Sequence, residues 1–331
     1  MSKSSVKTVL LILCLVLLAV CAILLFGKNI GYTYENADRY TSGDTTVTSP
    51  VENLDIGWTA GCVRIEYHTG SGIHVSESSD RSLSDPDLLR WWLDGQTLRI
   101  RYTAPGFRLF RNVTKALTVS LPEGTVLKST EIGTSSGDLE IEGLAADEIL
   151  LHTSSGSISA SADVKNLTVS ASSGSISFRQ STAAESVSLS TSSGRISASL
   201  ANAKSIRANS SSGSISIAMT DRADSIQAVS VSGNVSAEMA GSDRAECSST
   251  SGDVFVRPGD FRELVLRSTS GNVHALLSGK PGFTGEFSTT SGSFRSDLAL
   301  EKNGNTYVFG DGSARCSIHT TSGSIQLDKE E

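Results

Sequence analysis

Residues 151–200 read LHTSSGSISASADVKNLTVSASSGSISFRQSTAAESVSLSTSSGRISASL, and within them a short Ser/Thr run ends in glycine at Gly156, Gly174 and Gly194. The same ending recurs along the chain at Gly137, Gly156, Gly174, Gly194, Gly213, Gly233, Gly252, Gly271, Gly292 and Gly323. The gaps are 19, 18, 20, 19, 20, 19, 19, 21 and 31 residues. A fixed spacing of this size marks a repeat architecture. Five residues before each glycine stand Ile132, Leu151, Val169, Leu189, Ala208, Ala228, Cys247, Leu266, Phe287 and Ile318. Two residues after it stand Leu139, Ile158, Ile176, Ile196, Ile215, Val235, Val254, Val273, Phe294 and Ile325. Positions seven before and four after are mostly apolar as well, as at Ile206, Ile226, Ile217 and Val256, and the residues between are mostly Ser, Thr, Glu, Arg or Asn. Each side of the corner is therefore a short strand with one face in and one out.

A 19-residue unit buries its apolar face only by stacking on a neighbour, so strands of successive units should pair in parallel, about 4.8 Å apart. The pattern predicts an all-β chain, a parallel β-solenoid (β-helix) of about ten 19-residue coils over residues 129–331, forming a rod of roughly 50 Å. The corner glycine is expected to supply a positive φ, which costs other residues about 1–2 kcal/mol. The serine just before it, from Ser136 and Ser155 through to Ser291 and Ser322, is expected to bond the backbone at the bend. A right-handed crossover is the default.

Towards the N-terminus the pattern weakens. Leu54 and Ile56, a turn through Gly61, then Val63 and Ile65 look like a degenerate first coil, and residues 51–128 as a whole read as that coil plus a cap. Trp91 and Trp92 lie here in DLLRWWLDGQTLRIRY, followed by APGFRLFRN. Residues 81–115 carry seven basic side chains against three acids. Two readings are open. Trp91, Trp92, Arg99, Arg101, Phe107, Arg108, Phe110 and Arg111 can form a ligand surface, since aromatic faces stack on sugars and Arg grips anions. Alternatively the insertion is the plug that hides the open strand edges of a solenoid.

Residues 28–50 are polar and turn-rich and read as a stalk. Before them, VKTVLLILCLVLLAVCAILLF at residues 6–26 is long enough to cross a hydrocarbon core of about 30 Å. Residues 6–27 are accordingly expected to be a single transmembrane anchor, with residues 1–5 as its cytoplasmic end. Lys3 and Lys7 favour a cytoplasmic N-terminus and an extracytoplasmic body. A cleaved signal peptide is the alternative, opposed by the apolar run continuing through Phe26.

The formal net charge is -7, and three lysines precede residue 29 without any acid, which leaves about -10 on the rest of the 331-residue chain. That sign disfavours nucleic acid as a partner. Cys62, Cys247 and Cys316 lack metal spacing and read as small buried hydrophobes. The five histidines, His68, His74, His152, His274 and His319, show no ligand pattern, and no G-x-S-x-G elbow occurs. One cluster is less bland: Asn234, Asp253 and Asn272 follow three consecutive corner glycines. Stacked, they form either a row of oxygens for Ca²⁺ or a hydrogen-bonded ladder.

At LTVSLPEGTVLKSTEIGTSSGDLEIEGLAADEILLHTSSGSIS, residues 117–159, with its Leu121-Pro122 turn and TSSGD and TSSGS corners, the sequence resembles a bacterial family of unknown function, the putative adhesins with β-strand repeats. The resemblance spans about residues 51–327. It implies an envelope-associated β-helical domain, often behind one membrane span, and supplies no catalytic residues. Together these features suggest a membrane-anchored, non-enzymatic surface protein binding wall polymer, glycan or an envelope protein. A polysaccharide-acting β-helix enzyme and an envelope-stress scaffold or sensor are the alternatives; paired carboxylates facing one groove, which the first needs, are not evident around Asp253.

Overall fold

The computed structural model describes residues 32–106, 113–278 and 281–330. The predicted anchor at residues 6–27, the cytoplasmic end at 1–5 and the loop residues Phe107, Arg108, Phe110 and Arg111 lie outside them. Among the described residues no helix is long and apolar enough to cross a membrane.

The chain is all-β. In order the strands are β1 (Thr41–Ser42), β2 (Thr45–Val47), β3 (Asn53–Trp58), β4 (Gly61–His68), β5 (Ile73–Ser79), β6 (Arg90–Asp94), β7 (Thr97–Arg101), β8 (Lys115–Pro122), β9 (Val126–Thr134) and β10 (Asp138–Thr153). There follow β11 (Ile158–Ala171), β12 (Ile176–Thr191), β13 (Ile196–Ser210), β14 (Ile215–Ser230), β15 (Val235–Ser249), β16 (Val254–Arg257), β17 (Asp260–Ser268) and β18 (Val273–Leu277). The last are β19 (Phe283–Thr289), β20 (Phe294–Ser296), β21 (Glu301–Asn303), β22 (Thr306–Phe309), β23 (Ala314–Thr320) and β24 (Ile325–Lys329). From β10 to β15 each strand pairs in parallel with the next, one repeat on, so that Leu139, Ile158, Ile176, Ile196, Ile215 and Val235 stack in register. The strands bend midway at register shifts, such as that between Gln180 and Ala183. The positions two after and five before the corner are buried in every repeat except the one at Gly292, where Phe287 and Phe294 are half-buried. One continuous apolar cluster threads the stack.

The corner works differently from expectation. None of the ten repeat glycines has a positive φ. Glycine is required there by close stacking: a Cβ on Gly213 would overlap the Gly194 carbonyl oxygen, and one on Gly233 that of Gly213. Only the degenerate first corner, Gly61, combines a φ of 105° with such a contact, against the Lys115 carbonyl. The working hydroxyl is also not the one just before the glycine but the one three before. Ser230 Oγ accepts the Gly233 N–H at 2.9 Å and donates to the Gly213 carbonyl of the preceding coil at 3.0 Å. Thr191, Ser249 and Ser268 repeat this double bond. Ser232, next to the glycine, is exposed and contributes its backbone amide, which bonds the Ser211 carbonyl at 3.0 Å.

At both ends the coils do not stack in chain order. The C-terminal coil, β23 and β24, lies between the coil of β17 and β18 and that of β19 and β20. The corner glycines agree: Gly323 stacks on the Gly271 carbonyl and Gly292 on that of Gly323. The first coil, β3 and β4, is likewise held between β7 and β8 on one side and β9 and β10 on the other. Here Trp58 stands in for the corner hydroxyl and donates its indole N–H to the Lys115 carbonyl at 3.1 Å.

The segment expected as a stalk is, from Tyr32 onward, part of the cap. β1 pairs with β6 and β2 with β5, while β6 and β5 lie antiparallel on β7 and β8. Tyr40 and Val47 are buried, Tyr32 donates its hydroxyl to the Gly57 carbonyl at 3.1 Å, and Tyr34 and Tyr40 pack edge-on. The physical reason is that bare parallel edges of β7 and β8 need partners, and this polar but tyrosine-rich segment supplies them. At the far end, among the described residues, the β21–β22 hairpin covers residues 283–285 of β19.

Candidate functional site

The predicted basic and aromatic patch is drawn into the cap. Arg101 makes a two-pronged contact with Asp55, at 2.7 and 2.8 Å, and Arg99 reaches Asp55 at 2.5 Å and Asp94 at 3.2 Å. Asp55, at an outward position of β3, thus binds the end coil to the first coil, and both guanidiniums have protein partners. Trp92 packs against Tyr40 with ring centroids 5.7 Å apart and lies under the Arg39 guanidinium. Trp91 is half-buried against the core. These four residues sit as a plug would place them.

Sequence reasoning missed the centre of this cap. Lys115 is fully buried, with Nζ 2.6 Å from Glu77 Oε2, donating to the Asp87 and Tyr102 carbonyls at 2.7 and 2.5 Å and facing the Trp58 and Tyr102 rings. Glu77 Oε1 accepts the Leu89 N–H at 2.7 Å. The available signal was parity: Lys115 shares the inward side of β8 with Leu117, Val119 and Leu121.

The oxygen row at Asn234, Asp253 and Asn272 is brought together as a ladder. The Asn234 side-chain oxygen accepts the Asp253 N–H at 2.9 Å, that of Asp253 the Asn272 N–H at 2.7 Å, and that of Asn272 the Ser324 N–H at 2.9 Å. One oxygen of each side chain is thus spent on the next coil. Among the described residues no group of three or more His, Cys, Asp or Glu could hold a metal.

His68 and His74, brought together where β4 and β5 flank β8, have ring centroids 4.4 Å apart, with His68 Nδ1 accepting the Gly70 N–H. His274 Nε2 lies 2.9 Å from Asp328 Oδ2. Cys247 and Cys316 are buried, and burial pushes the Cys247 thiol up to about 12 and raises Cys316 as well, which keeps both protonated. Cys62 is half-buried, and its thiol is also raised, mainly by desolvation and then by Glu140.

A concavity lies at the opposite end from this cap, where the reordered C-terminal coil meets the hairpin. It has a volume of about 650 Å³, with Arg315 and Ser317 of β23 among its lining residues, Glu263 of β17 on one side, and Thr284 and Glu286 of β19 on the other. The loop 310–313 overhangs it. Thr284 Oγ1 donates to the Gly312 carbonyl at 3.1 Å, and Ser313 Oγ to the Gly282 carbonyl at 3.2 Å. The irregular gap of 31 residues between Gly292 and Gly323 was the one sequence signal for this departure from the flat stack.

No curated protein matches the chain. Among solved structures it is similar to a putative lipid binding protein from Parabacteroides distasonis, at 14% identity with a TM-score of 0.43, over 88% of this chain and 97% of that one. A putative adhesin from Bacteroides fragilis aligns at 11% identity and a TM-score of 0.37, over 87% and 96%. A putative cell adhesion protein from Clostridium sporogenes aligns at 11% and 0.25, over 88% and 100%. The Toastrack DUF4097 family matches residues 51–264, a span that runs from the first coil into β17 and covers most of the stacked repeats. The chain therefore belongs to the Toastrack DUF4097 family.

Proposed function

We propose that the protein is a single-pass membrane protein whose extracytoplasmic β-solenoid binds wall polymer, glycan or an envelope protein without chemically altering it. The apolar run at residues 6–26 supplies the anchor and the lysines before it set the orientation. The observation that carries the reading is the polarity of the rod. The chain enters at Tyr32 in the aromatic cap, while a cleft formed where the repeat becomes irregular lies at the other end. With parallel layers about 4.8 Å apart, that separation is about 50 Å. Locked corners make such a rod stiff enough to hold a binding end away from the bilayer.

The test uses the full chain in detergent micelles, incubated with purified envelope fragments and assayed for retention and for newly released reducing or unsaturated sugar ends. Saturable retention without sugar release is the expected result. Release of sugar ends would replace this reading with an enzymatic one, and absence of retention would contradict it.

A further inference from the structure

We infer that the cleft on β23 binds a carboxylated saccharide, with Arg315 gripping the carboxylate and Glu286 and Ser317 taking ring hydroxyls. This rests on the binding role proposed above and names its ligand class.

The register places Arg315 between Glu263 of β17 and Thr284 of β19, and Ser317 between Val265 and Glu286. Glu263 is already engaged by Arg244 at 2.7 Å, part of an ion-pair network that continues through Glu246 to Arg267. Among the described residues neither Arg315 nor Glu286 makes an ion pair, although both line the same cleft. The outward rows nearby have thus used their charges on one another, and the cleft retains one cation and one anion that have not.

A guanidinium offers a planar fork that matches a carboxylate in two parallel hydrogen bonds. An uncommitted carboxylate and a serine hydroxyl beside it suit the donor-rich edge of a sugar ring. A volume of about 650 Å³ falls in the range of small-ligand sites. Flanking carboxylates at Glu263 and Glu286, on a body of net negative charge, penalise a dianionic phosphate more than a monoanionic carboxylate whose other groups are neutral. The two hydroxyl bonds that pin loop 310–313 hold the overhang in place before any ligand arrives. A preformed wall lowers the ordering cost of binding.

The test is calorimetric titration of the full chain in detergent with a galacturonic acid trimer, its methyl ester and neutral maltotriose. The trimer should bind, and the ester and maltotriose at least tenfold more weakly. Arg315→Gln should weaken trimer binding at least tenfold, Arg315→Lys less, and Glu286→Gln a few-fold, while Arg179→Gln on another exposed row leaves it unchanged. Since Arg315 is exposed, its variants should melt with the wild type. Equal binding of acid and ester, unchanged affinity in Arg315→Gln, or equal competition by inorganic phosphate would overturn the inference. If envelope fragments are retained equally by wild type and Arg315→Gln while the trimer fails to bind, this inference alone falls. If the trimer binds as described and fragments are not retained, the broader reading falls instead.

Discussion

The middle of the stack and its two ends solve the same problem with different devices. Between Gly137 and Gly271 every coil has a neighbour above and below, and one rule suffices: glycine at the corner, a hydroxyl three residues earlier in every coil but that of Gly174, where Ala171 takes its place, and apolar residues two after and five before. At the ends a coil has a neighbour on one side only, and the rule is broken in a consistent way. The first and last coils in the sequence are each placed one layer inside the stack, paired on both edges. Terminal segments are ordinarily where order is first lost. Placing them inside gives each strand of these two coils two partners and leaves the exposed edges to segments tied down at both of their own ends. The N-terminal edge is then closed by antiparallel strands and the buried Lys115, and the C-terminal edge by a hairpin that also roofs a cleft.

The comparison can be broken most severely at a middle corner. Gly213→Ala puts a methyl group into the Gly194 carbonyl with no room to shift, so we expect loss of folding or a stability decrease above about 4 kcal/mol in a denaturant melt. Gly304→Ala, at φ 60° in the terminal hairpin with open space around it, should cost only about 1 kcal/mol. Next in size is the buried cap cation: Lys115→Met strands the Glu77 carboxylate and should cost about 3–5 kcal/mol, much of it recovered in the double variant with Glu77→Leu. At the corner hydroxyl, Ser230→Ala should cost about 1–3 kcal/mol against less than about 0.5 for exposed Ser232→Ala. Ala171 stands in the row between Thr153 and Thr191 without a hydroxyl, and Ala171→Thr should therefore raise the melting temperature.

The last effect concerns pH. The Cys247 thiol has an ordinary value of 9.0 and is raised by burial to about 12. The unfolded chain therefore loses this proton first, and stability present below pH 9 declines as pH rises towards 12. In Cys247→Ala, which repeats the Ala228 of the coil before, the alkaline decline should be shallower in thermal melts between pH 8 and 11.

The repeat was legible because its positions are decided by local parity: Leu139, Ile158 and Ile176 face inward for the same reason in each coil. The corner was located but its physics was not, because a positive φ and a close backbone approach both select glycine and only coordinates separate them. Tyr32 and Tyr40 were read as stalk because what covers them lies 25 to 70 residues away in sequence, which periodicity does not encode. Arg99 and Arg101 looked available for a ligand since Asp55 lies 44 and 46 residues earlier in sequence. The order of the end coils had one trace, the long gap before Gly323, and the cleft at Arg315 follows from that order.

The claim that terminal coils are held inside the stack is tested most directly by hydrogen exchange of the full chain, resolved to peptides. Residues 314–329 should exchange as slowly as the middle strands and more slowly than residues 283–296, which precede them in sequence but lie outside them in the stack. Faster exchange of residues 314–329 than of 283–296 would contradict it.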